Sequence, residues 1–222
     1  MDDTHVRYSF ERELKDLEQE LLRMGGVVEE MLHKSVQALI SRDTGIADEA
    51  VALDDVVDRY NLDIETHCLR LLALQQPMAR DLRTIAAAMK IITDVERMGD
   101  YAVDVAKTAK LLADQPPFKP LVDIPRMAEV VQQMLREVLE AFVSRDMEMV
   151  ERMIRDDDEV DHLAHALHEE LVAAIEKDRS ITRQAIRLLL ITRYLERIAD
   201  HITNVGERVY YMETGELKEL HQ

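Results

Sequence analysis

Acidic residues four apart recur on segments that read as long helices, and they are the residues whose types and spacing could do chemistry. Asp54 and Asp58 form one pair. Glu96 and Asp100 form a second, extended by Asp104. Asp157 and Asp161 form a third, and Glu196 and Asp200 a fourth, continued by Asn204. Residues i and i+4 lie one turn apart on one helix face, so each pair sets two carboxylates side by side. Like charges so placed destabilise an isolated helix by a few tenths of a kcal/mol. At about 100° per residue, the first three pairs fall roughly 50–90° to one side of their apolar stripes, in the same sense. Two antiparallel neighbours can therefore aim four carboxylates at one side. Such a cluster calls for a cation, and dense oxygen donors suit divalent or trivalent ions such as Mg, Mn, Fe or Zn. The alternative is a plain helical scaffold with solvated acids, offset by Arg97, Arg197, Lys107 and Arg208.

The elements that must position these acids are helices. The chain has 222 residues, 47% of them hydrophobic, with only six Gly and five Pro, a composition that favours helix almost throughout. Leu14, Leu17, Leu21, Met24, Val28, Met31, Ser35 and Leu39 form one stripe at three- and four-residue steps. Ile46, Ala50, Leu53, Val57, Ile64, Cys68 and Leu71 form a second. Ile85, Ala88, Ile92, Val95, Gly99, Ala102 and Ala106 form a third. Cys68 reads as a small core residue. Helices are expected near 8–41, 45–75, 78–113, 125–144, 147–177 and 180–212, short connections making neighbours antiparallel. Four of the five prolines fall between Pro116 and Pro125, the one obvious linker.

The second half repeats the first. Ala38, Ser41, Arg42 and Asp43 return 103 residues later as Ala141, Ser144, Arg145 and Asp146; Asp54, Asp55, Val57 and Asp58 return as Asp157, Asp158, Val160 and Asp161. Past a small indel, Glu96-Arg97 and Asp100 return 100 residues later as Glu196-Arg197 and Asp200. The expected architecture is all-α, six long antiparallel helices in two tandem three-helix bundles, residues 1–115 and 116–222. Gly99 and Ala199 lie between the acids, where a small residue serves close helix packing or the approach of an ion cluster equally well.

Other chemistries fit less well. Glu30 with His33, and Glu159 with His162, match the Glu-x-x-His signature of ferritin-like di-iron enzymes, but both pairs lie off their apolar stripes and read as surface. His162, His165 and His168 wind around one helix and converge poorly. No Gly-rich phosphate loop, Ser/His/Asp order or Cys-rich zinc pattern is present. With 28 Lys+Arg against 45 Asp+Glu, the formal net charge is −17. That excess argues against nucleic acid and anionic membrane as partners, and against a phosphate pocket on the surface. A single Cys, an acidic N-terminus and the absence of a long apolar run lead to the expectation of a cytoplasmic protein.

Residues 72–107, LALQQPMARDLRTIAAAMKIITDVERMGDYAVDVAK, resemble the signature helix of the PhoU family of phosphate-signalling regulators. YLERIADHITNVGERV, residues 194–209, looks like its repeat, and the closing YYMETGELKELH is also family-like. The resemblance implies two three-helix bundles side by side, with metal ions or multinuclear clusters on the acidic motifs. By position those are Asp54, Asp58, Glu96 and Asp100, then Asp157, Asp161, Glu196 and Asp200. Asp104 would be a flanking ligand, and Asn204 at its repeat position would lower the charge of the second site. The implied function is regulatory and non-catalytic: a cytoplasmic link between a phosphate ABC transporter (Pst-like) and a sensor histidine kinase (PhoR-like), holding the phosphate-starvation response off. A homodimer is compatible with that role.

Overall fold

The computed structural model describes residues 3–220; the His221 of the closing motif lies outside them. The described chain runs α1 (Asp3–Ser41), α2 (Thr44–Ala52), α3 (Asp54–Gln75), α4 (Ala79–Leu112), α5 (Asp123–Ser144), α6 (Met147–Lys177) and α7 (Thr182–Thr214). A single 3₁₀ turn, Arg179–Ile181, precedes α7. No strand occurs among the described residues. The six expected rods are present with one correction: the helix expected over 45–75 breaks at Leu53. There the Leu53 N–H donates to Ala50 O at 3.3 Å, a tightened turn, and Leu53 O accepts from Val56 and Val57 to start α3. Neither Gly nor Pro marks the spot, so periodicity alone runs through it. The break places Asp54 and Asp55 in the first turn of a new helix, the positive end of its dipole. Their repeat counterparts, Asp157 and Asp158, sit in the unbroken middle of α6.

The repeated Ser-Arg-Asp is a helix-to-helix turn. Ser41 and Ser144 donate back to Gln37 O and Glu140 O, each at 2.8 Å. Arg42 and Arg145 then adopt left-handed backbone, with φ of 59° and 64°. Asp43 accepts from the Gly45 and Ile46 N–H groups and Asp146 from Glu148 N–H, capping the next helix.

α1 to α4 pack on one another as one three-helix bundle, and α5 to α7 as the second. The apolar stripes fill both: Leu17, Leu21, Met24, Ile64, Cys68, Ile85 and Ile92 are all buried in the first. The two bundles join along α4 with α7 and α1 with α5. The α4–α7 pair is antiparallel, since partner numbers fall as the others rise: Arg80 meets Glu213, Asp94 meets Asn204, Tyr101 meets Arg197, and Leu111 meets Arg187. Gly25 sits at the α1–α5 crossing, where a Cβ would overlap Leu139 Cδ1. Nearby, Arg145 reaches back across the bundles to Glu18 and packs over the Phe142 ring. Burial pushes the Glu18 carboxyl up and Arg145 down, each opposed by the other's charge.

Two substitutions test this junction. Gly25→Val should overpack it and cost about 1–3 kcal/mol in a urea titration. Glu18→Ala should leave Arg145 with only its longer contact to Glu213 at 3.9 Å, costing about 2 kcal/mol or more. If both variants unfold like the wild type, the bundles are not joined through this face.

Candidate metal-binding faces

In the first bundle the acids share one electrostatic field. Asp54 opens α3 and Asp58 follows one turn later; Glu96 and Asp100 face them from α4. Asp54's carboxyl is raised above its ordinary value by burial first, then by the charges of Asp58 and Asp100, with Lys107 opposing. Glu96's is raised by burial, then by Asp100, Asp58 and Asp54, with Arg97 opposing. The four carboxyls of the two helices are thus within electrostatic reach of one another. Asp104 is different. Its charge is felt by Tyr194 across the α4–α7 seam, and its backbone carbonyl accepts from Thr108.

In the second bundle, Glu196 is raised by burial, with Asp161 and Asp200 adding to it and Arg193 opposing. Asp157 lies half-buried on α6 and has its own interactions. Cations already stand at both faces: Arg97 donates to Asp100 and Arg197 to Asp200, each at 2.8 Å, and Arg193 lies 3.6 Å from Glu196. The repeat thus conserves an Arg–Asp pair three residues apart, beside each glutamate. Among the described residues no group of three or more His, Cys, Asp or Glu side chains is already gathered as a metal cage. The donor set still fits a hard cation: carboxylate pairs, partly desolvated and repelling one another, on rigid helices.

Several other expectations resolve. A Cβ at Gly99 would point into the core, at ordinary contact distance from Val57, Met31 and Val28, so packing there tolerates a larger residue. Glu30 and His33 are exposed, as are His162, His165 and His168, and Glu159 pairs with Arg126 at 2.8 Å; the di-iron arrangement has no inward ligands here. His165 and His168 nonetheless line a groove of about 660 Å³ with Asp161 and Glu196, so the second face carries imidazoles that the first lacks. Sequence reasoning missed a polar core to the seam. His201 Nδ1 lies 2.9 Å from an Asp94 carboxylate oxygen, which also accepts from Asn204, and Tyr101 stacks on Tyr194. The missed signal was the repeat itself: 94, 101 and 104 match 194, 201 and 204.

Together these features define an all-helical, internally duplicated protein with a carboxylate face on each half. The family model described as PhoU domain matches the chain twice, over residues 21–109 and 124–209. The chain belongs to the PhoU family. A protein of Clostridium acetobutylicum named phosphate-specific transport system accessory protein PhoU homolog is 37% identical, over 97% of this chain and 99% of its own. One of the same name from Aquifex aeolicus is 38% identical, with 93% of each chain covered. The crystal structure of PhoU from Pseudomonas aeruginosa superposes with a TM-score of 0.89 at 34% identity, covering 93% of this chain and all of that one. That of the phosphate transport system regulatory protein PhoU from Streptococcus pneumoniae gives 0.84 at 33%, covering 94% and 99%.

The raised carboxyls of Asp54 and Glu96 hold protons more tightly in the folded than in the unfolded chain. Metal-free protein should therefore lose stability as pH rises through the ordinary carboxylate range up to their raised values, and remain weakened above them. Asp58→Asn should recover about 0.3–0.5 kcal/mol at neutral pH and flatten that pH dependence. Thermal melts in chelator from acidic to neutral pH check this; a variant no more stable than wild type at neutral pH contradicts it.

Proposed function

We propose that this protein is a non-catalytic regulatory component of a phosphate-specific transport system. It acts in the cytoplasm, links a phosphate ABC transporter ATPase to a sensor histidine kinase, and restrains the phosphate-starvation response when phosphate is plentiful. The observation that carries this reading is family membership along essentially the full chain, with relatives named as accessory proteins of phosphate transport. That naming also supports a role without catalysis. No helix among the described residues is long and apolar enough to cross a membrane, which agrees with a partner that docks on membrane proteins from one side.

The carboxylate faces supply the second half of the proposal. Asp54, Asp58, Glu96 and Asp100 would hold a cation on the first bundle, with Asp104 flanking, and Asp157, Asp161, Glu196 and Asp200 one on the second. The ion is divalent or trivalent: Mg, Mn, Fe or Zn. Bound there, it would neutralise the repulsion that the acids now impose on one another and displace Arg97 or Arg197 from its aspartate. Freed arginines and reduced negative charge would change how each face meets another protein.

The tests are separable. Affinity capture with the cognate transporter ATPase and the kinase's cytoplasmic region should retain both from purified components. Failure to retain either, at any phosphate or metal level, contradicts the adaptor role. Under metal-replete conditions the wild type should hold more metal than Asp100→Ala or Asp200→Ala, measured as bound ion per chain. Equal content in all three contradicts the carboxylate sites.

A further inference from the structure

One groove stands out against a chain of net charge −17. It has a volume of about 900 Å³ and lies where the connecting segment meets the start of α7. Arg179, Arg183 and Arg187 line it in steps of four, with Pro116, Ile181 and Ile186 as apolar walls, and no carboxylate is among its lining residues. Arg187 donates to Leu111 O at the end of α4. Among the described residues, no Asp or Glu side chain forms an ion pair with Arg179, Arg183 or Arg187 within 4.0 Å. The nearby Asp178 carboxylate is turned to the 3₁₀ turn, where it accepts from Ser180 N–H at 2.9 Å, and those hydrogen bonds hold its pKa below the ordinary range.

The two ends of the α4–α7 seam differ in charge pairing. α4 and α7 are antiparallel, so each end of their seam brings the start of one helix to the end of the other. At the far end, Arg83 Nε donates to Met212 O at 3.1 Å, as Arg187 does to Leu111 O. There Glu213 accepts from Arg80 at 2.9 and 3.1 Å, and it also faces Arg145 at 3.9 Å. The position matching Glu213, 100 residues earlier, is Ala113. Arg80 itself is matched by Ser180, so the Arg80–Glu213 pair has no counterpart at the groove end.

We propose that the groove binds a phosphate-type oxyanion, with Arg179 and Arg183 as its principal partners and Arg187 beside them. A doubly charged tetrahedral group can engage two or three guanidinium forks at once, whereas a side-chain carboxylate matches only one. The source is free inorganic phosphate or the phosphoryl chain of a small molecule. The site gives the proposed regulator a direct input, but it is argued from the groove alone and stands apart from the carboxylate faces.

Calorimetric titration of the full chain in chelator, at constant ionic strength, tests it with inorganic phosphate, pyrophosphate and ATP against chloride. Chelator keeps the outcome separate from cation binding. At least one of the three should saturate, and Arg183→Gln and Arg179→Gln should each weaken it about tenfold or more. Arg126→Gln, which removes one positive charge elsewhere, should leave it unchanged. Tighter binding of pyrophosphate or ATP than of phosphate assigns a phosphoryl chain, and equal or tighter binding of phosphate assigns the free ion; either supports the site. No saturable binding by any of them, or binding equally weakened by Arg126→Gln, overturns it.

Discussion

α4 and α7 lie antiparallel against one another, and this contact arranges the rest of the molecule. It brings the two copies of the repeat together about their middles, where Asp94, Tyr101, Tyr194, His201 and Asn204 form a polar and aromatic seam. The Glu-Arg-x-x-Asp motif of each helix lies at that central level, since Tyr101 meets Arg197. Asp94 and Asp104 of α4 stay at the seam, whereas Glu96 and Asp100 act on α3 and Glu196 is acted on by Asp161 of α6. One helix pair thus sets the register of both carboxylate faces, and the α1–α5 crossing at Gly25 fixes the second line of the junction.

The faces are related but unequal. The first takes Asp54 from the start of a helix, where the backbone dipole favours a negative charge. The second takes Asp157 from the middle of α6 and borders a groove with His165 and His168. Asn204 replaces the aspartate found at position 104, and its amide instead donates to Asp94. The repeat thus carries the same carboxylate spacing twice, in distinct surroundings. An ion of softer preference is better matched by imidazole beside carboxylate than by carboxylate alone, so the two faces need not select the same metal.

Much of this was legible in the residues, for physical reasons. Long three- and four-residue periodicities reported the helices because each rod buries one continuous stripe, and Leu17, Met24 and Ile92 show it. The repeated Ser-Arg-Asp reported a turn because hydroxyl, left-handed arginine and capping aspartate each make a local hydrogen bond. The break at Leu53 left no such mark, since a tightened right-handed turn needs neither Gly nor Pro. Gly99 was ambiguous because small size serves packing and ligand access alike, and the core beside it has room for a Cβ. The cationic groove escaped because a net charge of −17 is an average, while Arg179, Arg183 and Arg187 follow the same four-residue rule as the acids and meet the connecting segment only in the folded chain.

The carboxylates of each repeat repel one another and, on the proposed function, would close around a cation. Anomalous diffraction from crystals grown in manganese tests it most directly. A peak is expected at Asp54, Asp58, Glu96 and Asp100 and a second at Asp157, Asp161, Glu196 and Asp200, with Arg97 and Arg197 moved off their aspartates. A well-ordered map with no peak at either face, and both arginines still on their carboxylates, would contradict it.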